Sequence, residues 1–96
     1  MAEVAKARVS PRREDAYWRA NFKSRPYVRP DVAYKIYRPA YKYGWESRVR
    51  FAGRRWEDVA TDLRVEWEKV SGQSTLTWEE AGQAAQDAWN RITLSA

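Results

Sequence analysis

The sequence of 96 residues contains neither cysteine nor histidine. Without cysteine there are no disulfide bonds, cysteine-ligated metal centres or thiol nucleophiles. Without histidine there is no Ser-His-Asp triad, no histidine-ligated metal and no imidazole that titrates near neutral pH. We therefore expect a protein that is not an enzyme, with no catalytic residue, no cofactor site and no metal site.

Long hydrophobic runs are absent as well. No run reaches the roughly 18 apolar residues that a membrane-spanning helix needs, so we expect no transmembrane segment. The first residues include the acid Glu3 and no continuous apolar stretch, which is not the pattern of a secretory signal. We expect a cytoplasmic protein with one small domain, because a chain of this length is too short for two.

Charge is plentiful and unevenly distributed. Residues 1–55 hold 15 Lys and Arg against 5 Asp and Glu, a net charge of +10, whereas residues 56–96 carry a net charge of −5. The basic half either binds a polyanion such as nucleic acid or an anionic membrane surface, or is neutralised by the acidic half, within one chain or between chains. The second interpretation is favoured because its acidic partner is already present in the molecule.

Capping residues and prolines mark the helix boundaries. Ser10 followed by Pro11 is typical of an N-cap and a first helical residue, and Thr77 with Glu80 forms a capping box. Between them, residues 25–30 should be extended, because two prolines disfavour helix at the residues before them. The sequence predicts an all-α fold, a small bundle of about four short helices near residues 11–22, 32–51 (broken at Pro39), 56–70 and 78–92.

These helices define the expected domain organisation. Residues 1–9 show no period and are predicted to be a flexible N-terminal arm. The remainder, residues 10–96, is predicted to be a single helical domain with a basic half, 10–55, and an acidic antiparallel helical hairpin, 56–92. Ser71-Gly72-Gln73-Ser74 would end the first helix of that hairpin.

Tryptophan recurs every eleven residues, at Trp45, Trp56, Trp67, Trp78 and Trp89. Eleven residues make three helical turns, so two such residues in one helix lie on nearly the same face. An antiparallel hairpin would bring Trp67 near Trp78 and Trp56 near Trp89. The predicted aromatic core consists of Tyr34, Tyr37, Tyr41, Trp45, Trp56, Trp67, Trp78 and Trp89.

Apolar residues that recur every three or four positions form a stripe along one face of a helix. Val49 continues the stripe that runs from Tyr34 to Trp45, and Val70 continues the stripe that runs from Trp56 to Trp67. Gly44, beside Trp45, indicates a place where another backbone or ring comes close. The alanine-rich face around Gly82 should likewise permit close approach of another element.

Several sequence blocks resemble a family of small bacterial proteins. They are Tyr37-Arg38-Pro39-Ala40-Tyr41-Lys42-Tyr43-Gly44-Trp45 (YxPAYxYGW), Gly53–Val59 (GRxWEDV), and Thr77–Ala81 with Asp87–Trp89 (TWEEA…DAW). The similarity covers about residues 16–92, and Arg55 stands where the family often has a small polar residue. Some members are encoded near general-stress genes, and the family has no established activity. The resemblance implies a stress-linked cytoplasmic protein and transfers no catalytic residue.

Basic and aromatic residues interleave in the first half of the chain. Cations can follow a phosphate backbone while aromatic faces stack bases, as in single-strand binding. Alternatively, the rings form the core and the arginine stems cover them, which the helical spacing of Tyr34, Tyr37 and Tyr41 favours. The candidate polyanion-binding residues are Arg12, Arg13, Arg19, Lys23, Arg25, Arg29, Lys35, Arg38 and Lys42.

Asp58, Asp62 and Glu66 share one helical face at i, i+4 and i+8. Such oxygens suit hard cations or acid–base chemistry, but a solvated acidic face, or one docked on the basic half, explains them more simply. The sequence thus predicts a non-enzymatic interaction or structural module that self-associates or docks a protein partner through aromatic and charged surfaces. The alternative is a sequence-independent nucleic-acid-associating protein that uses the basic half.

Overall fold

The computed structural model describes residues 6–7, 9–70, 74–92 and 94–95. Over this part of the chain the fold is all-α, as predicted. Its helices are α1 (Pro11–Asn21), α2 (Tyr34–Arg50), α3 (Trp56–Val70) and α4 (Trp78–Arg91), with a 3-10 turn at Phe22–Ser24. Two strands of two residues each, β1 (Lys6–Ala7) and β2 (Leu94–Ser95), pair in antiparallel orientation.

The start of α1 follows the predicted cap. The Ser10 Oγ accepts a hydrogen bond from the Arg13 N–H at 3.4 Å, and Pro11 is the first helical residue. The helix ends at Asn21, one residue before the predicted end, because the chain tightens into the 3-10 turn.

Helix α2 runs through Pro39 without a break, so the prediction of a broken helix over 32–51 was wrong. Proline removes one backbone hydrogen bond, the one to the carbonyl of Lys35, at a cost of about 3 kcal/mol. Tyr37 and Tyr41 flank Pro39 and are fully buried. Their burial outweighs the lost bond and keeps the helix continuous from its start at Tyr34.

Helices α3 and α4 form the predicted antiparallel hairpin. The ring centroids of Trp67 and Trp78 lie 6.2 Å apart, and those of Trp56 and Trp89 lie 5.5 Å apart. Helix α3 ends at Val70, and Ser74, the one described residue of the predicted stop Ser71-Gly72-Gln73-Ser74, is not helical. The other three residues lie outside the described part of the chain.

In the first turns of α3 and α4, the hydrogen bonds involve backbone carbonyl and carboxylate groups rather than the predicted threonine hydroxyl. Thr77 is the N-cap of α4, but its side chain makes no cap hydrogen bond, so that half of the predicted capping box is absent. Instead, the Thr77 carbonyl accepts from the N–H groups of Glu80 and Ala81. At α3, the Asp58 carboxylate accepts from the Arg55 N–H at 3.4 Å, the reciprocal half of a capping box.

Helix α2 lies at the centre and packs against both α1 and α4. A Cβ on Gly44 would meet the backbone of Ala85, whose Cα would be 2.8 Å away. The glycine of α2 and the alanine face of α4 therefore provide the close approach that both were expected to permit. Because no side chain separates the helices there, their backbones meet directly.

The aromatic stripes are shorter than predicted. Val49 and Val70 are 41% and 48% exposed, so the stripes of α2 and α3 end one turn earlier, at Trp45 and Trp67. Both valines lie in the last turn of their helices, beyond the reach of the other helices of the core.

The residues expected to form an N-terminal arm fall largely outside the described part of the chain. Within it, Lys6 pairs with Ser95 and Ala7 with Leu94, so these positions meet the other end of the chain. Flexibility of residues 1–9 stays a prediction.

Candidate functional site

The basic and acidic halves neutralise each other in part within one chain. Arg25 binds Asp87 with its Nε 2.7 Å from Oδ2, and Arg29 binds Glu80 at 3.3 Å. Two of the nine predicted polyanion-binding residues therefore hold the proline-containing segment against α4 instead. Further ion pairs between the halves are Arg50–Glu66 at 2.8 Å and Arg91–Glu14 at 3.0 Å.

Two phenols extend the Arg25–Asp87 pair into the core. The Tyr27 hydroxyl donates to Asp87 Oδ2 at 2.7 Å and lies 2.8 Å from the Tyr41 hydroxyl. Burial, followed by these two hydrogen bonds, raises the pKa of Tyr27 far above its usual value. Burial also raises the pKa of Tyr41 to about 12. Both phenols stay neutral near pH 7, so neither is a proton acceptor for catalysis.

Asp15 is a carboxylate surrounded by donors from α1 and α2. It accepts from Arg38 Nε at 2.8 Å and from the Tyr34 hydroxyl at 2.9 Å, and it pairs with Arg19 at 3.5 Å. Burial opposes ionisation, but these donors together outweigh it and hold the pKa of Asp15 below its usual 3.8. Asp15 is therefore a negative charge that fixes two arginines on the surface.

A basic face surrounds Asp15 on the outer side of α1 and α2. The two helices are antiparallel, since the Trp18 ring stacks on Tyr41 at 4.4 Å and Phe22 lies beside Tyr34 at 5.2 Å. Asp15 joins exposed cations of both helices, because it pairs with Arg19 of α1 and Arg38 of α2. Spacings of three and four residues put Arg12 on the face of Asp15 and Arg19, and Lys35 and Lys42 on the face of Arg38. We define the basic face as Arg12, Arg19, Lys35, Arg38 and Lys42, all of them exposed.

The members of the basic face differ in their pairing. Within the described residues, Arg12, Lys35 and Lys42 form no ion pair, whereas Arg19 and Arg38 share Asp15. The remaining predicted residues, Arg13 and Lys23, are exposed on α1 and the 3-10 turn. Eight of the nine predicted cations are thus exposed, Arg29 among them, and Arg25 is half-buried.

Most aromatic rings of the basic half lie inside the protein, although Tyr17 of α1 is exposed. Tyr34, Tyr37, Tyr41 and Trp45 are buried, and so are Trp67 and Trp89. Trp56 and Trp78 are partly buried against the same core. The rings that would stack bases are therefore covered, and the arginine stems lie over them, as with Arg19 above the Tyr34 ring at 5.1 Å.

A groove between α3 and α4 was not anticipated from the sequence. Its larger cleft, about 420 Å³, is bordered by Trp67 and Trp78 with Glu68 and Glu79. A smaller cleft of about 230 Å³ lies on the other side of Trp78 and is bordered by Trp56. We call the two clefts together the α3–α4 groove. The spacing of the tryptophans was the only feature of the sequence that indicated this groove. Large rings near both ends of α3 and α4 prevent the two helices from packing closely along their whole length.

Of the three carboxylates predicted to share a face of α3, Asp58 and Glu66 are held by arginines, and Asp62 is exposed. Asp58 pairs with Arg55 at 3.2 Å, and Glu66 binds both terminal nitrogens of Arg50 at 2.8 and 3.0 Å. These hydrogen bonds lower the pKa of both carboxyls. Over the residues that the structure describes, no three Asp or Glu side chains come together as potential metal ligands.

The chain has no match among the comparisons with known proteins: no family model, no curated protein and no solved structure is similar to it. The resemblance to a stress-linked bacterial family therefore stays a prediction. None of the described helices combines the length and the hydrophobicity needed to cross a bilayer.

Proposed function

We propose that this protein is a non-enzymatic interaction module that docks a protein partner in the α3–α4 groove. The observation that carries the proposal is Trp78, which is partly buried and borders both clefts of the groove. Indole rings at protein interfaces supply large apolar area with few rotatable bonds, which is why they are frequent at binding hot spots. Over the residues that the structure describes, the groove leaves the rings of Trp56 and Trp78 partly exposed.

The rim of the groove selects the chemistry of the partner. Glu68 and Glu79 are exposed beside the larger cleft, and Arg64 reaches Glu79 only at 3.9 Å. An exposed pair of this kind contributes about 0–1 kcal/mol, so an incoming cation displaces Arg64 at little cost. The partner is accordingly a segment with an apolar side chain for the cleft and basic residues beside it.

The polar groups support binding rather than catalysis. The buried phenols of Tyr41 and Tyr43 keep their protons near pH 7, and the carboxylates beside the groove, Glu68 and Glu79, are exposed. Location in the cytoplasm and a role in the bacterial stress response, which the family resemblance implies, belong to the same proposal.

Calorimetric titration with model peptides tests the groove. The probe is an amphipathic peptide of leucine and lysine, and the comparison peptide has glutamate in place of lysine. We expect the full chain to bind the leucine–lysine peptide and to ignore the other. The double variant E68Q/E79Q should weaken binding about 5- to 30-fold, because each removed charge contributes about 0.5–1 kcal/mol beside a cation.

A charge-matched variant separates the groove from general electrostatics. E46Q/D62N removes two exposed carboxylates that do not border the groove, and it should leave the affinity unchanged. Equal weakening in both variants, or no binding of the basic peptide to the wild-type chain, would contradict the proposal. Sedimentation experiments would show whether the groove binds a second copy of this chain instead. In that case the mass of the wild-type chain rises with concentration, whereas E68Q/E79Q stays a monomer.

A further inference from the structure

We propose that the basic face binds the phosphate backbone of double-stranded nucleic acid, independently of its sequence. This site lies on α1 and α2, and the inference does not depend on the α3–α4 groove. Phosphate contacts alone can supply non-specific binding of this kind.

The first argument is the charge that remains after internal pairing. The basic face has five exposed cations around Asp15, with the exposed Glu46 one turn after Lys42 on α2, whereas Arg25 and Arg29 are taken up by pairs with α4. Asp15 also limits the movement of Arg19 and Arg38, because it holds both guanidinium groups. A face that is already ordered loses less side-chain entropy when it binds a ligand.

The second argument is the size of the basic face. Lys35 and Lys42 are seven residues apart on one helix, which corresponds to about 10 Å along its axis. The cations of α1 lie on the neighbouring helix, whose axis is about 8–10 Å away in packed helices. Duplex DNA carries one negative charge for about every 1.7 Å of its length. A basic face of this size therefore meets about four or five phosphates.

The third argument selects a duplex over other polyanions. Single-strand binders stack bases on exposed rings, but Tyr34, Tyr37 and Tyr41 are buried beneath the basic face. Peripheral membrane helices insert several large apolar side chains beside their cations, whereas the basic face adjoins one exposed valine, Val49, two turns after Lys42 on α2. The other exposed large hydrophobic residues among those described are Tyr17, Val65 and Val70.

The salt dependence of duplex binding tests the inference. Fluorescence anisotropy with two unrelated DNA duplexes of about 20 base pairs should give a slope of log K against log salt of about −3.6 to −4.5 for four or five phosphates. Between about 50 and 200 mM salt, the affinity should fall about 150- to 500-fold. In K35Q/K42Q the loss over the same range should shrink to about 10- to 40-fold, because two phosphate contacts are gone.

Two further variants make the result specific. R54Q/K69Q removes the same net charge from exposed cations outside the basic face and should retain the steep slope. E68Q/E79Q should bind the duplex as the wild-type chain does, so failure of the groove proposal leaves this one intact. The inference is overturned if duplexes do not bind at about 20 mM salt, if R54Q/K69Q flattens the slope as much as K35Q/K42Q, or if single strands bind more tightly. Binding to vesicles of phosphatidylcholine with about 30% phosphatidylserine, without binding to duplexes, would also overturn it.

Discussion

Buried indoles stabilise this small protein even where their polar atom has no partner. Within the described residues, the Nε1 atoms of Trp18 and Trp45 are buried without a hydrogen bond. An unsatisfied donor costs about 1–3 kcal/mol. A tryptophan buries about 150–250 Å² of surface, which at about 25 cal/mol per Å² amounts to about 4–6 kcal/mol. The burial therefore outweighs the lost hydrogen bond.

Trp67 combines burial with a satisfied polar group. Its ring is 3% exposed and lies 5.5 Å from the Tyr43 ring, and its Nε1–H donates to the Leu76 carbonyl at 3.1 Å. The residue thereby joins α2, α3 and the segment that leads into α4.

Replacing this indole should be expensive. We expect Trp67→Ala to lower the free energy of unfolding by about 3–5 kcal/mol, because it leaves a large cavity and an unpaired Leu76 carbonyl. Val65→Ala, on the same helix but 62% exposed, should change it by less than about 0.5 kcal/mol. Urea denaturation followed by far-ultraviolet circular dichroism measures both. A loss below about 1 kcal/mol for Trp67→Ala would place the ring on the surface.

Helix α2 shows how packing overrides local preference. Pro39 and Gly44 are both unfavourable inside a helix, yet the helix is continuous over 17 residues. Gly44 is required because the backbone of Ala85 occupies the space that a Cβ would need. Pro39, which is half-buried, has no comparable reason in its surroundings.

Pro39→Ala should consequently stabilise the protein. The substitution restores the N–H that can donate to the Lys35 carbonyl, and we expect the free energy of unfolding to rise by about 1–3 kcal/mol. The lower value applies if proline restricts the unfolded chain. Thermal and urea unfolding would measure the gain. Unchanged or reduced stability would indicate that the pyrrolidine ring makes packing contacts worth more than the hydrogen bond.

For the whole molecule, the buried tyrosines of the core make the free energy of unfolding depend on pH in the alkaline range. Burial raises the pKa of Tyr41 and of Tyr43 to about 12, and it raises that of Tyr34 further. In the unfolded chain these groups titrate near pH 10. Their contribution to stability is therefore complete below about pH 10 and is lost as the pH rises through about 12.

We therefore expect the protein to unfold between about pH 10 and 12. The loss should be on the order of 1–3 kcal/mol for each buried phenol, against a total stability of about 5–15 kcal/mol. Tyrosinate absorbance and helical circular dichroism, followed together, would test this. Tyr43→Phe should make stability less dependent on pH in this range, since it removes one titrating group along with its bond to the Leu63 carbonyl at 2.8 Å. Complete tyrosinate formation while the helices persist would contradict a buried aromatic core.

The helices and the hairpin could be predicted from the sequence because their signals are local. Ser10 and Pro11 mark the start of α1 through atoms that are neighbours in the chain. The eleven-residue spacing of tryptophan places Trp56 and Trp67 on one face of α3, and Trp78 and Trp89 on one face of α4. Hydrogen bonding within a turn and helical periodicity depend on residues only a few positions apart.

Tertiary packing settled which cations are free and where a groove opens. Arg25 and Asp87 are 62 positions apart, and nothing in either neighbourhood distinguishes Arg25 from the exposed Lys35. Continuity of α2 through Pro39 likewise depends on tyrosines buried against other helices. Ion pairs and clefts between distant residues arise only after the helices have packed, because their energies depend on separations that chain position does not specify.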